Sequence, residues 1–252
     1  MSTFSADPWI AWATKNAWLP ASGVALYILG VFLAPMLKLS KSSQSLKHAL
    51  FAWNIMMALF SAWCTVISVP HYLFGEHGVF TEGLTASVCS YSAWFSTGKV
   101  GMVTVAFTLS KFVEFGDTVF LALRGCELTN LHTFHHAMTL ALTWTLFERR
   151  ASTGLVCIAM NSFIHTVMYF YYAAVLFPRA RSILLPYSYW ITVVQISQMV
   201  VGVIVNVLAT IELLAGRACH VSPFCVFSAG ALYLIYAAMF VQFAVERKLK
   251  RA

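Results

Sequence analysis

Three histidines lie within five residues in the stretch Asn130-Leu131-His132-Thr133-Phe134-His135-His136, which opens an apolar run that extends to Phe147. On a helix, residues at i, i+3 and i+4 share one face, so His132, His135 and His136 are predicted to point into one small volume. Imidazole titrates close to neutrality and is costly to bury in hydrocarbon. The cluster is therefore a candidate functional site inside an apolar helix.

The composition indicates a membrane protein. Of the 252 residues, 60% are hydrophobic and 10% are charged, whereas soluble domains contain about 25% charged residues. Runs long enough to cross about 30 Å of hydrocarbon as helices lie at 18–37, 49–69, 99–123, 131–147, 152–177, 187–213 and 223–245. The sequence thus predicts an all-α polytopic membrane protein with seven transmembrane helices in a single domain, 1–252. Segment 84–98 is mildly apolar, and an eight-helix alternative has it cross.

The net charge of +7 is better explained by membrane topology than by nucleic-acid binding, because the basic residues lie between the apolar runs. With a cytosolic C-terminus, ten Lys and Arg fall on the cytosolic side: Lys38, Lys41, Lys47, Arg124, Arg179, Arg181, Arg247, Lys248, Lys250 and Arg251. Four fall on the other side (Lys15, Arg149, Arg150 and Arg217), and Lys99 and Lys111 complete the 16. This bias favours a non-cytosolic N-terminus.

The two termini were searched for targeting signals. No cleavable signal peptide is evident, since the first dozen residues lack a charged n-region. Lys248 and Lys250 lie near the C-terminus and resemble a dilysine retrieval signal of the endoplasmic reticulum. An ordinary basic end that obeys the positive-inside rule is the alternative.

The six cysteines are Cys64, Cys89, Cys126, Cys157, Cys219 and Cys225. They show no CxxC spacing, and the chain is not a small secreted domain, which argues against a disulfide framework or a zinc site. We interpret them mostly as small apolar residues.

The third run contains charges that are unusual inside a membrane. Lys111, Glu114 and Asp117 follow one another at spacings of three, and Thr118 lies four beyond Glu114. The spacing predicts one polar stripe in which opposite charges neutralise each other, and this lowers the cost of burial. The stripe is either a structural ion pair between helices or a pair that also orients the histidines, which we favour.

Two further runs carry polar faces. In the fifth run, one helical face is predicted to hold Asn161, His165, Met168, Tyr169 and Tyr172. The sixth run repeats polar residues at spacings of three, namely Thr192, Gln195 and Gln198. The simpler alternatives are an interfacial aromatic belt for the tyrosines and polar contacts between helices for the glutamines.

The polar residues of four runs share a depth. At 1.5 Å per residue, Asp117, His135, His165 and Gln195 are predicted to lie roughly 6–18 Å below the cytosolic boundary. If these polar residues only stabilised contacts between helices, they would not need to lie at the same depth in the membrane. We therefore expect one buried polar layer in the cytosolic half of the membrane.

The four motifs together resemble those of a known family. They are Lys111-x-x-Glu114-x-x-Asp117-Thr118, His132-x-x-His135-His136, Asn161-x-x-x-His165-x-x-Met168-Tyr169-x-Tyr171-Tyr172 and Thr192-x-x-Gln195-x-x-Gln198. In this order they resemble the signature motifs of the ELO very-long-chain fatty acid elongases. The resemblance implies a 3-ketoacyl-CoA synthase of the endoplasmic reticulum, an acyltransferase that condenses a long-chain acyl-CoA with malonyl-CoA and releases carbon dioxide and CoA. It also implies six helices packed as an inverted barrel around an acyl tunnel, with no cofactor.

The resemblance also implies roles for individual residues. His135 is expected to be the nucleophile that forms an acyl-imidazole, with Cys126 as the alternative nucleophile. His165 and Asn161 are candidates for binding the malonyl thioester oxygen, and Gln195 and Gln198 for lining the tunnel throat. The side chains expected to set tautomers and orientation are His132, His136, Glu114 and Asp117. Lys111, Tyr169 and Tyr172 complete the expected substrate-binding wall.

Cytosolic cations are expected to bind the CoA phosphates. The candidates are Arg124, Arg179 and Arg181, with Lys38, Lys41 and Lys47, although anionic lipid head groups attract the same residues. The chain departs from the family at Arg124-Gly125-Cys126, where further basic residues are common. This departure weakens the expectation that the turn binds the CoA phosphates. Expected partners are the bilayer and the two CoA substrates, and the resemblance leaves open a second copy and the ketoreductase, dehydratase and enoyl reductase of the elongation cycle.

Two other functions remain as alternatives. A membrane di-iron desaturase or hydroxylase also uses HxxHH, but its site needs about eight histidines on one side. Of the eight present, His71, His77 and His220 are predicted in outside loops and His48 in another inside loop, which leaves four. A non-enzymatic transporter is the second alternative, and the sequence has no inverted repeat or broken helix pair to support it.

Overall fold

The computed structural model describes residues 4–37, 43–90 and 96–249, in which the regular elements are helices with one isolated bridge between Ser5 and Thr97. The α-helices are α1 (Asp7–Lys15), α2 (Trp18–Leu33), α3 (Gln44–Phe74), α4 (Val79–Glu82), α5 (Leu84–Cys89), α6 (Gly98–Val113), α7 (Phe115–Leu123), α8 (Asn130–Glu148), α9 (Gly154–Ala174), α10 (Pro178–Leu184), α11 (Ser188–Leu214) and α12 (Pro223–Leu249). Short 3-10 helices follow α2 and α10 at Ala34–Leu37 and Leu185–Tyr187. The all-α prediction is confirmed in this part of the chain.

Five helical segments are long and apolar enough to cross a membrane. They are Trp18–Met36, Gln44–Glu82, Gly154–Ala174, Pro178–Leu214 and Pro223–Leu249. The other two predicted runs, 99–123 and 131–147, are helical as α6 with α7 and as α8. Their charged residues and histidines lower the mean hydropathy of these two runs, so composition alone does not identify them as membrane spans.

Helix α3 is longer than the predicted run 49–69. The hydroxyl of Ser43 accepts a hydrogen bond from the Leu46 backbone N–H at 3.0 Å and caps its first turn. At the other end, α3 continues through Pro70 to Phe74. Pro70 has no N–H to donate to the Val66 carbonyl, yet the helix continues for one more turn beyond it. His71 therefore lies in the last turn of α3, and the prediction that it lies in a loop was wrong.

The prediction that the cysteines form no disulfide was wrong. Cys89, at the end of α5, is bonded to Cys219, which lies between α11 and α12. The partners are 130 residues apart, so no local spacing in the sequence could reveal the pair. The other four cysteines are free.

The segments around this bond gather at one end of the bundle, which we call the disulfide end. The backbone N–H of His220 donates to the Cys89 carbonyl at 2.8 Å, and the N–H of Ser152 donates to the His220 carbonyl at 2.9 Å. Arg150 pairs with Asp7 at 2.7 Å, and the Ala6 N–H donates to the Ser96 carbonyl.

Segment 84–98 therefore begins and ends at the same end of the bundle. Cys89 and Ser96 both belong to the disulfide end, through Cys219 and Ala6 respectively. The described helix in this segment, α5, has six residues and is about 9 Å long. This geometry contradicts the eight-helix alternative.

The long helices pack side by side. Helix α3 packs against α6 and α9, α11 packs against α9 and α12, and α8 packs against α6 and α12. Helix α2 lies on α8, where Phe112 and Leu140 fill the space beside Gly23. The largest contact joins α3 to α9, the helices that carry Asn54 and His165.

Candidate active site

A cavity of about 470 Å³ lies in the half of the bundle opposite the disulfide end. Seven of the helices contribute lining residues, namely α3, α7, α8, α9, α10, α11 and α12. The lining side chains that bear on its chemistry are Asn54, Asp117, Arg124, Glu127, His132, His135, His136, Asn161, His165, Met168, Tyr169, Tyr172, Arg181, Gln195 and Gln198. The exposed Arg124, Glu127 and Arg181 mark its mouth. The structure thus brings one polar layer together from separate helices.

The three histidines occupy the first turns of α8. Thr129 caps this helix by accepting from the His132 backbone N–H at 3.2 Å, and this fixes where the imidazoles begin. The rings of His132 and His136 are 4.4 Å apart, and those of His135 and His136 are 5.5 Å apart. All three line the cavity, as the helical spacing predicts.

His132 is held by side chains that do not line the cavity. Its Nε2 lies 2.8 Å from the hydroxyl of Thr118, which lies 3.0 Å from the phenol of Tyr27 on α2. The Tyr27 ring stacks on Phe115 at 4.2 Å. A chain of hydroxyls therefore connects α2 to the histidine cluster.

Lys111 and Glu114 form a buried ion pair beside the cavity and do not line it. The Lys111 Nζ donates to Glu114 Oε1 at 2.6 Å and to Asn161 Oδ1 at 3.1 Å, and Ser110 also donates to Glu114. Lys111 is 2% exposed and Glu114 is 3% exposed. The bond to Lys111 occupies Asn161 Oδ1, which leaves the amide nitrogen of Asn161 as a donor toward the cavity.

Asp117 has a different set of partners. Trp53 on α3 donates to its Oδ1 at 2.7 Å, Tyr169 on α9 donates to its Oδ2 at 2.6 Å, and His136 Nε2 lies 3.9 Å from the same oxygen. The Trp53 ring fills the position that a Cβ would occupy at Gly116. Helix α6 ends just before Glu114 and α7 starts just after it. The predicted single stripe is therefore two networks.

Helices α9 and α11 supply the opposite wall. His165 is 7% exposed, and its ring lies 5.5 Å from that of Tyr169. The side-chain amide of Gln195 lies 3.5 Å from the sulfur of Met168, while Gln198 is buried. These residues line the cavity, as does the half-exposed Tyr172.

The predicted CoA cations divide into two groups. Arg124 and Arg181 line the mouth, whereas Arg179 is exposed and does not line the cavity. Lys47 lies over the ring of Phe177, 5.5 Å from its centroid. Lys38 and Lys41 lie outside the described residues.

The sequence analysis missed four residues of this site. Asn54 is buried and lines the cavity, and an amide within an apolar run was a visible signal. Trp53 and Tyr27 look like ordinary membrane aromatics in the sequence. Tyr236 approaches the His135 ring at 5.1 Å, and its hydroxyl lies 3.4 Å from the His135 carbonyl oxygen. Only the fold connects these three aromatics to the site.

The remaining histidines lie elsewhere in the described chain. His71 lies in the last turn of α3, and His77 follows the end of that helix. His220 lies at the disulfide end. The exposed His48 lies beside Gln44 in the first turns of α3. Among the described residues, no group of three or more His, Cys, Asp and Glu is arranged to hold a metal ion.

Comparisons with known proteins show the family of this chain. The family model "ELO: GNS1/SUR4 family" matches residues 12–252. The chain is 32% identical over 240 residues to very long chain fatty acid elongase 6 of Gallus gallus, which covers 94% of this chain and 87% of that protein. It is 30% identical to the human protein of the same name, over 96% and 89% of the two chains. Fatty acid elongase 3 of Trypanosoma brucei brucei is 28% identical, over 88% and 80%.

The family match begins close to the N-terminus and includes every motif that lines the cavity. The relatives are similar along most of their own length. The chain therefore belongs to the ELO: GNS1/SUR4 family.

Proposed function

We propose that this protein is a fatty acid elongase that condenses an acyl-CoA with malonyl-CoA, a very-long-chain 3-oxoacyl-CoA synthase. The relatives are named as fatty acid elongases. The observation that carries the proposal is the cavity itself, which His135 and His165 line from two helices, together with Arg124 and Arg181 at its mouth. Imidazoles supply the nucleophile, and the guanidinium groups suit the phosphates of CoA.

In the first step, neutral His135 attacks the acyl thioester. The carbon–sulfur bond breaks, and the proton of the imidazole N–H passes to the departing sulfur, so CoA leaves as the thiol and the acyl group remains on the other ring nitrogen. Asp117 and His136 act as positioning residues, because the carboxylate held by Trp53 and Tyr169 lies 3.9 Å from His136. Burial of this site protects the acyl-imidazole from water.

In the second step, malonyl-CoA loses carbon dioxide and leaves the enolate of acetyl-CoA. The enolate carbon attacks the acyl carbon, and a carbon–carbon bond forms. The bond between the acyl carbon and the imidazole nitrogen breaks, and His135 takes up a proton from solvent as it leaves. The enolate oxygen needs hydrogen-bond donors, and the free amide nitrogen of Asn161 and the ring of His165 supply them. Lys111 supports this step because it occupies Asn161 Oδ1 at 3.1 Å. Gln195 and Gln198 line the acyl path.

We further infer seven transmembrane helices in one elongase domain, six of them arranged as a ring around the acyl chain. The pairwise packing of α3, α9, α11, α12, α8 and α6 returns to its starting helix, with α2 outside, and this supports a closed ring. Disulfides persist in oxidising compartments, so we assign the disulfide end to the lumen of the endoplasmic reticulum. The mouth then faces cytosolic acyl-CoA, and the N-terminus is lumenal. Lys250 of the proposed retrieval signal lies outside the described residues.

The test is a condensation assay of the full chain in liposomes with acyl-CoA and labelled malonyl-CoA. We expect 3-ketoacyl-CoA and release of carbon dioxide that requires acyl-CoA. Arg181→Ala should raise the KM for acyl-CoA several-fold, while the matched Arg179→Ala should change it little, since Arg179 does not line the cavity. Transport of acyl-CoA without release of carbon dioxide, or activity that requires bound iron, would contradict the proposal.

A further inference from the structure

Tyr27 is the buried polar side chain of α2, a helix whose residues the structure describes throughout. The other buried residue of α2 is Pro20, whereas Leu26 and Phe32 are largely exposed, as expected of a helix that faces lipid. A buried phenol normally has a hydrogen-bond partner, and polar groups inside a membrane span are costly unless something uses them. The packing of α2 therefore gives no reason for the hydroxyl of Tyr27.

The partner of Tyr27 connects it to the cavity. The Tyr27 hydroxyl lies 3.0 Å from Thr118 Oγ1 on α7, and this oxygen lies 2.8 Å from Nε2 of His132 on α8. Tyr27 and Thr118 are each 6% exposed and do not line the cavity, whereas His132 does. Three helices thus share one chain of hydrogen bonds that ends on a cavity-lining imidazole.

The acidities of the three groups set the direction of this chain. A phenol is a stronger acid than an aliphatic alcohol, and the lone pair of a neutral imidazole is the strongest acceptor of the three groups. Tyr27 is therefore expected to donate to Thr118, whose single hydroxyl proton then donates to His132 Nε2. Hydrogen bonds in such a chain strengthen one another. A neutral imidazole whose Nε2 accepts a hydrogen bond carries its proton on Nδ1.

We propose that Tyr27 is a positioning residue for condensation, which acts through Thr118 to hold His132 as a hydrogen-bond donor to the acyl carbonyl oxygen. This inference rests on the proposed function, in which that oxygen gains negative charge when His135 attacks the thioester. The tautomer with its proton on Nδ1 supplies a donor without a net charge, and an unpaired charge is costly in a buried site.

The position of His132 fits this role. His132 and His135 lie three residues apart on one face of α8 and both line the cavity, so an acyl group bonded to His135 lies beside His132. Within the described part of the chain, the hydrogen bond of the His132 ring is the one between Nε2 and Thr118, which leaves Nδ1 for the substrate. A donor that is fixed before the reaction stabilises an oxyanion without reorganisation.

The first measurement is the release of CoA in the first turnover, with the full chain in liposomes and acyl-CoA alone. Tyr27→Phe keeps the ring that stacks on Phe115 at 4.2 Å and removes only the hydroxyl. Loss of one fixed hydrogen bond should slow the reaction at saturating acyl-CoA about tenfold, while the half-saturating concentration of acyl-CoA changes little. An unchanged rate, or a change in the half-saturating concentration alone, would overturn the assignment.

Tyr233→Phe is the matched control. Tyr233 is a buried phenol on α12 that does not line the cavity. Its ring lies against Gly202, and its hydroxyl lies 3.1 Å from the sulfur of Cys157. Loss of this hydroxyl should leave the rate of CoA release unchanged, because it has no link to the histidines.

A double-mutant cycle tests whether Tyr27 acts through Thr118. Thr118→Val removes the second hydroxyl and should slow CoA release at least as much as Tyr27→Phe does, whereas Thr118→Ser keeps the hydroxyl and should keep most of the rate. Because the two groups act in series, Tyr27→Phe combined with Thr118→Val should be no slower than Thr118→Val alone. Effects that multiply in the double variant would overturn the link.

The tautomer of His132 gives a readout besides activity. In protein with isotope-labelled histidine, nitrogen NMR separates protonated from unprotonated ring nitrogens, and the His132 signals are those that are absent from His132→Gln. We expect the proton on Nδ1 in the unchanged protein and a mixture of the two tautomers in Tyr27→Phe. A proton on Nε2 in the unchanged protein would overturn the proposal. If the unchanged enzyme releases no CoA, the proposed function fails, and the NMR result still decides whether Tyr27 controls the tautomer of His132.

Discussion

The two halves of the bundle are held together by different interactions. The half around the cavity contains buried charges and hydrogen bonds, such as Lys111 with Glu114 and Asp117 with Trp53. The disulfide end has a covalent bond and an apolar cluster that includes Val88, Val156 and Val205. Buried polar groups are costly in a membrane unless they are paired. The half around the cavity therefore gains its stability from paired polar groups, whereas the disulfide end gains it from a covalent bond and apolar packing.

The largest effect on stability is expected from Lys111→Met. It leaves the Glu114 carboxylate buried beside Asn161 without its counter-ion, at a cost of about 3–5 kcal/mol. Thermal unfolding in detergent should show the loss, and Lys111→Met combined with Glu114→Gln should recover most of it. Lys99→Met is the control on the same helix, because Lys99 is exposed. Equal stability of the Lys111 and Lys99 variants would contradict the importance of the pair.

Removal of the disulfide tests the other half. Cys89→Ser with Cys219→Ser opens a loop of 130 residues and should cost about 2–4 kcal/mol of stability. The rate of condensation below the unfolding temperature should stay within about twofold, since the bond is remote from the cavity. The free, exposed Cys126 gives the control Cys126→Ser. A loss of activity in a double variant that is still folded would show that the disulfide end also supports the active site.

A smaller effect is expected from Trp53→Phe. It keeps a ring beside Gly116 but removes the 2.7 Å hydrogen bond to Asp117. Hydrogen bonds to charged groups contribute about 1.5–3 kcal/mol, so kcat should fall at least about tenfold while the KM for acyl-CoA changes little. Trp63→Phe on the same helix packs away from the cavity and should have wild-type kinetics. A change in KM alone would argue against a positioning role.

The smallest effect is expected at the surface of the disulfide end. The Arg150 guanidinium and the Ser5 hydroxyl hold the pKa of Asp7 below its ordinary value of 3.8. This contribution to stability is complete above that ordinary value and is lost as the pH falls through the lower pKa of the folded state. Exposed pairs contribute little, so Arg150→Ala should change the thermal midpoint at pH 7 slightly and remove this part of the acid sensitivity. A large midpoint shift would contradict the account.

The features predicted correctly from the sequence are those that depend on helical periodicity. His132, His135 and His136 line one cavity because their spacing places them on one face. Local spacing could not predict that Asp117 and Glu114 separate into two networks, since Trp53 on a distant helix selects the partner of Asp117. The Cys89–Cys219 bond and the contact of Tyr233 with Gly202 also join distant parts of the chain. These contacts depend on how distant helices pack together, and no local pattern in a single sequence predicts that packing.

The most direct test of the central claim is the intact mass of the purified enzyme after incubation with acyl-CoA alone. We expect one acyl group per chain, an equal amount of released CoA and, after proteolysis, the adduct on His135. His135→Ala should insert in the membrane and form no adduct, whereas Cys126→Ala should form it normally. Release of CoA without an adduct, or an adduct on Cys126, would contradict histidine as the nucleophile.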